Sequence, residues 1–299
     1  MSYEPHKSLS DPARPSAGLG RLAAGVAGFV VVFLLISLML SALVNALSRM
    51  FLSPMMQPFW GQDLANASTP LTALLNLYFF VAMILALRIT LWLIHKRPLR
   101  GLLGPLPLAL MQFWQVIRLL VPIYLLSFLL PAPEPLQLAP NLDFGLWIVL
   151  LPVALIGLLI QTSAEELIFR GYLQSQLAAR FRHPLVWIGI PSVLFAMMHF
   201  DPNIDETAAW LVVVWALVFA LITGDLTARS GTLGPAIALH LANNVMAIAI
   251  AAPEGSFDGL ALFTYPFSVS DSQLMMAWMP VEMLIMLCCW LAARIALRV

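Results

Sequence analysis

Eight apolar runs divide this chain, each long enough to cross a hydrocarbon core of about 30 Å, which takes roughly 17 to 25 helical residues. They run approximately from Leu22 to Leu47, Leu71 to Ile94, Leu108 to Leu130, Phe144 to Gln161, Pro184 to Phe200, Ala208 to Gly224, Gly231 to Ala252 and Leu274 to Leu297. Only 10% of the 299 residues are charged and 61% are hydrophobic, whereas ordinary soluble domains carry about 25% charge. These runs predict an all-α, polytopic integral membrane protein with about eight transmembrane helices, forming one helical domain over residues 21–299. Residues 1–20, with Pro5, Pro12, Pro15, Lys7 and Arg14, read as a disordered tail.

Short cytoplasmic loops are enriched in Lys and Arg, and the basic residues here alternate accordingly. Lys7, Arg14 and Arg21, then Lys96, Arg97 and Arg100, then Arg180 and Arg182, then Arg229, and finally Arg298 fall on one side. The opposite loops hold only Arg49, at a helix edge, and the stretches 132–143, 201–207 and 253–273 hold no Lys or Arg. Both termini are therefore expected in the cytoplasm, with the chain in the cell membrane, inner where there are two. Fifteen basic and fifteen acidic residues cancel, which argues against nucleic acid as a partner. Cys288 and Cys289 are neighbours, a spacing suited to neither a disulfide framework nor a zinc site.

Against this background a Glu165-Glu166 doublet stands out at the end of an uncharged run. A carboxylate is expensive in hydrocarbon, so an intramembrane acid marks a functional position. Arg170 lies one helical turn beyond Glu166 and can pair with it. Three more polar residues lie deep in apolar sequence: His199, and His240 with Asn244 four residues on, stacked on one face. Glu165 lies seventeen residues before Arg182 and His199 seventeen after it, so both rise about 25 Å from one turn at 1.5 Å per residue. His240 and Asn244 rise roughly 16 and 22 Å from Arg229 by the same arithmetic. Three helices thus bring these groups into one layer. A carboxylate beside an imidazole takes a proton from water, and a second imidazole with an amide NH2 supplies donors for an oxyanion. That inventory suits amide hydrolysis.

Glu165-Glu166-Leu-Ile-Phe-Arg170-Gly171, Phe195-Ala-Met-Met-His199 and His240-Leu-Ala-Asn-Asn244 resemble, in order and spacing, three motifs of the CAAX protease and bacteriocin-processing (CPBP, or Abi) family of intramembrane endopeptidases. Ser230-Gly231-Thr232-Leu233 is similar to that family's lead-in to the last motif. The resemblance covers residues 144–252 and implies eight helices around a water-filled intramembrane cavity. It also implies cleavage of a membrane-associated or lipidated peptide or protein. By position it implies Glu165 as general base, His199 as its partner on the water, and His240 with Asn244 as oxyanion stabilisers, Glu166 and Arg170 supporting. No cofactor is required in this reading. The His-Glu-x-x-His zinc signature is absent, yet Glu165, His199 and His240 are a donor set for one Zn2+ or another divalent metal.

Other readings compete. Ser163-x-x-Glu166 fits a capping box at a helix start, and a lone intramembrane histidine often serves as interhelical glue. Asn243 is read as packing, while Arg118 and Glu282 are expected to pair structurally or line the cavity. A transporter with a glutamate proton relay would favour paired repeats and broken helices, which the sequence does not show. A membrane scaffold or immunity protein would use the same residues for binding alone.

Overall fold

The computed structural model describes residues 3–128 and 136–299. Six helices are long and apolar enough to cross a membrane: α1 (Leu19–Phe51), α2 (Pro70–His95), α3 (Leu106–Ser127), α4 (Phe144–Ala178), α6 (Glu206–Ser230) and α8 (Ser272–Leu297). Two shorter apolar helices, α5 (Leu185–Met197) and α7 (Gly234–Ile250), complete the set. Each of the eight apolar runs therefore forms a helix, and the chain is an all-α multi-pass membrane protein. The expected end of the third run, at 129 and 130, and the first part of the 132–143 stretch lie outside the described residues.

Helix ends follow local chemistry. The side chains of Asp143, Asp205 and Asp271 accept from the backbone N–H groups of Leu146, Ala208 and Leu274, each at 3.0 Å, capping α4, α6 and α8. Such caps satisfy amides that have no partner within the helix. Thr69 and Thr72 cap α2 reciprocally. Gly231 ends α6 in the left-handed region, at φ 73°, which glycine adopts at no steric cost. Three residues on, α7 begins at Gly234, where an added Cβ would run into the backbone of Ala109 on α3.

Helix α7 packs between α3, α4 and α6, and α8 closes the far side against α3 and α6. Leu87, Leu102, Leu120, Phe169, Phe195 and Phe219 are almost fully buried in the core between these helices. Outward faces are apolar as well, with Leu38, Met39, Val149 and Ile156 all exposed, as expected for surfaces that meet lipid rather than water.

Two features differ from the sequence reading. Residues 4–16 are not a loose tail but short helical turns docked on the ends of α4, α5 and α6. Tyr3 donates to Asp225 at 2.9 Å, Ser8 donates to the Gly231 carbonyl, Leu9 and Ala13 are buried, and His6 stacks on Trp187 with centroids 5.0 Å apart. Pro5 and Pro12, near the starts of two turns, favour them by their fixed φ. Secondly, a small sheet adds to the helices: β1 (Ala139–Pro140) pairs antiparallel with β3 (Phe263–Tyr265), which pairs parallel with β2 (Ala251–Pro253). Strands of two or three residues carry too little periodicity to be read.

Candidate active site

Helix α4 runs unbroken through Ser163 and Glu166, so no helix start exists there and the capping-box reading is excluded. Past the expected span end at Gln161 it continues to Ala178, because its polar residues face protein rather than lipid. Gln161, Thr162, Glu165, Glu166 and Arg170 are all buried. At Leu167 the helix widens to i→i+5 hydrogen bonding as far as Gln174, and α7 does the same over Val245–Ile250. Both wide turns begin on the residue after a motif pair, Glu165-Glu166 and Asn243-Asn244. Wide turns of this kind are frequent at functional sites.

The two glutamates have different surroundings. Glu166 is 0% exposed, and its Oε1 accepts from Arg170 Nη1 at 3.0 Å. The same oxygen meets His240 Nδ1 at 2.8 Å. Arg170 also donates to the Ala220 carbonyl of α6 at 3.3 Å and lies over the Phe195 ring at 4.7 Å. Glu165 retains 9% exposure, and its Oε2 stands 3.6 Å from His240 Nε2. That separation exceeds a hydrogen bond. The imidazole of His240 is thus held between two carboxylates, fixed by one and facing the other.

His240 is walled by the Phe219 ring at 4.8 Å and the Phe195 ring at 6.2 Å. His199, in the turn after α5, places Nδ1 2.8 Å from the Phe195 carbonyl. A carbonyl only accepts, so Nδ1 carries the proton and Nε2 of the neutral ring keeps its lone pair. Asn244 donates to Gln161 Oε1 at 3.3 Å. Gln161 had no place in the motif reading, although it lies one helical turn before Glu165 and hence on the same face. Phe219 was likewise legible only as an apolar residue.

The structure therefore brings Glu165, Glu166, Arg170, His199, His240 and Asn244 into one cluster built from α4, α5 and α7. Asn243, read as packing, donates to Asn244 Oδ1 at 3.2 Å. Arg118 is exposed on α3 while Glu282 lines a separate cavity, and no ion pair joins them among the described residues. Asp205, in the 201–207 stretch, is the α6 cap.

Whether Glu165, His199 and His240 form a metal site depends on their donors meeting at one point. Among the described residues no group of three or more His, Cys, Asp or Glu side chains is so arranged. His240 Nδ1 and His199 Nδ1 are engaged elsewhere, and His240 Nε2 stands 3.6 Å from Glu165 Oε2.

A buried ion-paired glutamate, a second glutamate with residual access and two oriented imidazoles in a helical membrane protein define a polar intramembrane centre. Residues 145–246, which hold all three motifs, match the family described as type II CAAX prenyl endopeptidase Rce1-like. The chain's resemblance to that endopeptidase family thus extends over the whole motif-bearing segment. It is also similar to the uncharacterized protein YyaK of Bacillus subtilis (strain 168), with 30% identity over 161 residues, covering 51% of this chain and 52% of that one. The chain thus spans about half the length of the curated relative it matches. No solved structure matches it.

Proposed function

We propose that this protein is an intramembrane endopeptidase that hydrolyses a peptide bond of a membrane-associated protein or peptide with a water activated by Glu165. The observation that carries this reading is the position of His240, hydrogen-bonded to Glu166 through Nδ1 and facing Glu165 across 3.6 Å through Nε2.

In this scheme water sits against Glu165, donating one proton to the carboxylate and the other to His199 Nε2. Its oxygen attacks the scissile carbonyl carbon while Glu165 takes the proton. The carbonyl oxygen becomes an oxyanion that accepts from His240 Nε2–H and from the Asn244 amide, whose second N–H is not used by Gln161. Collapse of the tetrahedral intermediate breaks the C–N bond, and Glu165 passes its proton to the leaving amine. Glu166 and Arg170 touch no reacting atom and position His240. The proposed setting is a cell membrane with both termini in the cytoplasm, supported by the distribution of Lys and Arg.

Purified protein in liposomes, given a quenched membrane-peptide library, tests the reading. Wild type is expected to cleave, Glu165→Gln to lose cleavage while folding normally, and a chelator to have no effect. Loss of cleavage on chelation would replace the free water with a metal-bound one, and a folded wild type that cleaves nothing would overturn the enzyme assignment.

A further inference from the structure

A cavity of about 370 Å³ lies between α3, α6, α7 and α8 under the small sheet. This lies within the size range of small-ligand sites. Its walls include Tyr124, Trp215, Tyr265 and Trp278, together with methionines and aliphatic residues. Glu282 is the one carboxylate among the described residues that line it, and no Lys, Arg or His is among them. No hydrogen bond or ion pair engages this carboxylate among the described residues. The catalytic scheme makes no use of it. An unpaired carboxylate among aromatic rings is costly, whereas the same arrangement attracts a cation, which gains from the carboxylate and from the ring faces at once.

Two contacts tie this cavity to the catalytic cluster. Asn243 lines it and donates to Asn244 at 3.2 Å. Trp215 lines it and stacks on Phe219 with centroids 5.4 Å apart, and Phe219 in turn packs against His240 at 4.8 Å. His240 and Asn243 are separated by about 4.5 Å of helix rise. Asn243 lies about 60° round the helix from His240 and about 100° from Asn244, so the cavity opens on the face of α7 adjacent to the one that carries them.

We propose that this cavity is a specificity subsite for a basic side chain of the substrate, near the scissile bond, with Glu282 receiving the charge and the aromatic wall receiving the methylene stem. The proposal rests on the endopeptidase reading and names a substrate class for it. A lysine or arginine has an apolar stem and a charged head, which matches an apolar cavity bearing a single acid.

The test takes the best-cleaved library peptide and places lysine or norleucine, in turn, at each of three positions on either side of the scissile bond. At one position lysine is expected to raise kcat/KM at least tenfold over norleucine in wild type, and Glu282→Gln to reduce that ratio to within about twofold. In parallel, hexylguanidinium and hexanol are titrated against wild type and Glu165→Gln in nanodiscs, read by tryptophan fluorescence, with hexylguanidinium expected to bind at least tenfold tighter in both. This arm needs no change at Glu282, so misfolding of Glu282→Gln cannot shield the proposal. Equal binding of the two probes overturns it, as does a lysine preference that survives in folded Glu282→Gln. Cleavage with no lysine preference at any position overturns the subsite alone, while cation binding by a wild type that cleaves nothing overturns the subsite and the endopeptidase reading together.

Discussion

Glu166 holds His240 through Nδ1 at 2.8 Å with the same oxygen that receives Arg170 at 3.0 Å. One atom of α4 thereby couples an ion pair within its own helix to the histidine of α7. Its other oxygen, Oε2, is buried and has no hydrogen-bond partner among the described residues. The adjacent glutamates are consequently expected to separate experimentally into a chemical residue and a positioning residue.

Glu165→Gln is expected to lower kcat by about 10²–10⁴-fold, the usual contribution of a general base, with little change in thermal stability. Glu166→Gln should instead lower stability, because it leaves Arg170 charged and unpaired in the core, a loss of about 3–5 kcal/mol. Activity assays and thermal unfolding of the two variants side by side check this. Equal effects on both measurements would dissolve the division of roles.

The Glu166–Arg170 pair should show strong coupling. Arg170→Met alone strands Glu166, whereas Glu166→Gln with Arg170→Met removes both charges. The double variant is therefore expected to be more stable than Arg170→Met alone, by an amount on the order of 1–3 kcal/mol. Denaturation in a double-mutant cycle measures it.

Asn244→Ala should reduce kcat by about 10²-fold or more with KM little changed, as for loss of an oxyanion donor. Gln161→Ala should act in the same direction but less, since Gln161 only orients the amide. A rise in KM alone for Asn244→Ala would remove the oxyanion assignment.

Burial lowers the His6 pKa from 6.5 to about 4. The undocked segment takes up a proton below 6.5 and the docked one does so only near 4. Docking is therefore fully supported above 6.5 and weakens as pH falls between these values, by up to about 3 kcal/mol at 1.4 kcal/mol per unit. Hydrogen exchange over residues 4–16 should accelerate with this profile beyond its intrinsic pH dependence, and His6→Phe should flatten it.

Gly234→Ala should destabilise the packing of α7 on α3, because the new Cβ meets the Ala109 backbone rather than a movable side chain. A loss on the order of 1–3 kcal/mol is expected, with activity falling because α7 carries His240 and Asn244. Thermal unfolding and turnover on the same sample check it.

Much of this was legible in the chain because membrane chemistry is strict. Apolar length marks helices, and a charge in hydrocarbon draws attention to itself, which is how Glu165, Glu166, His199, His240 and Asn244 emerged together. The role of residues 4–16 was hidden because their composition looks polar and proline-rich, while their order comes from Tyr3 on Asp225, Ser8 on Gly231 and His6 on Trp187, all long-range contacts. Gln161 was hidden because an amide at the edge of an apolar run reads as a boundary until the helix is seen to continue.

Local sequence determined the helical class, the eight apolar helices and the identity of the polar cluster, since these follow from hydropathy and from spacing along one chain. Tertiary structure alone decided which oxygen of which glutamate meets His240, that Glu166 is sealed while Glu165 keeps access, and that Glu282 faces an aromatic cavity behind Asn243. Adjacent glutamates are chemically identical in sequence. Only the 100° between successive side chains on α4, and what α6 and α7 place on each side, gives them different surroundings.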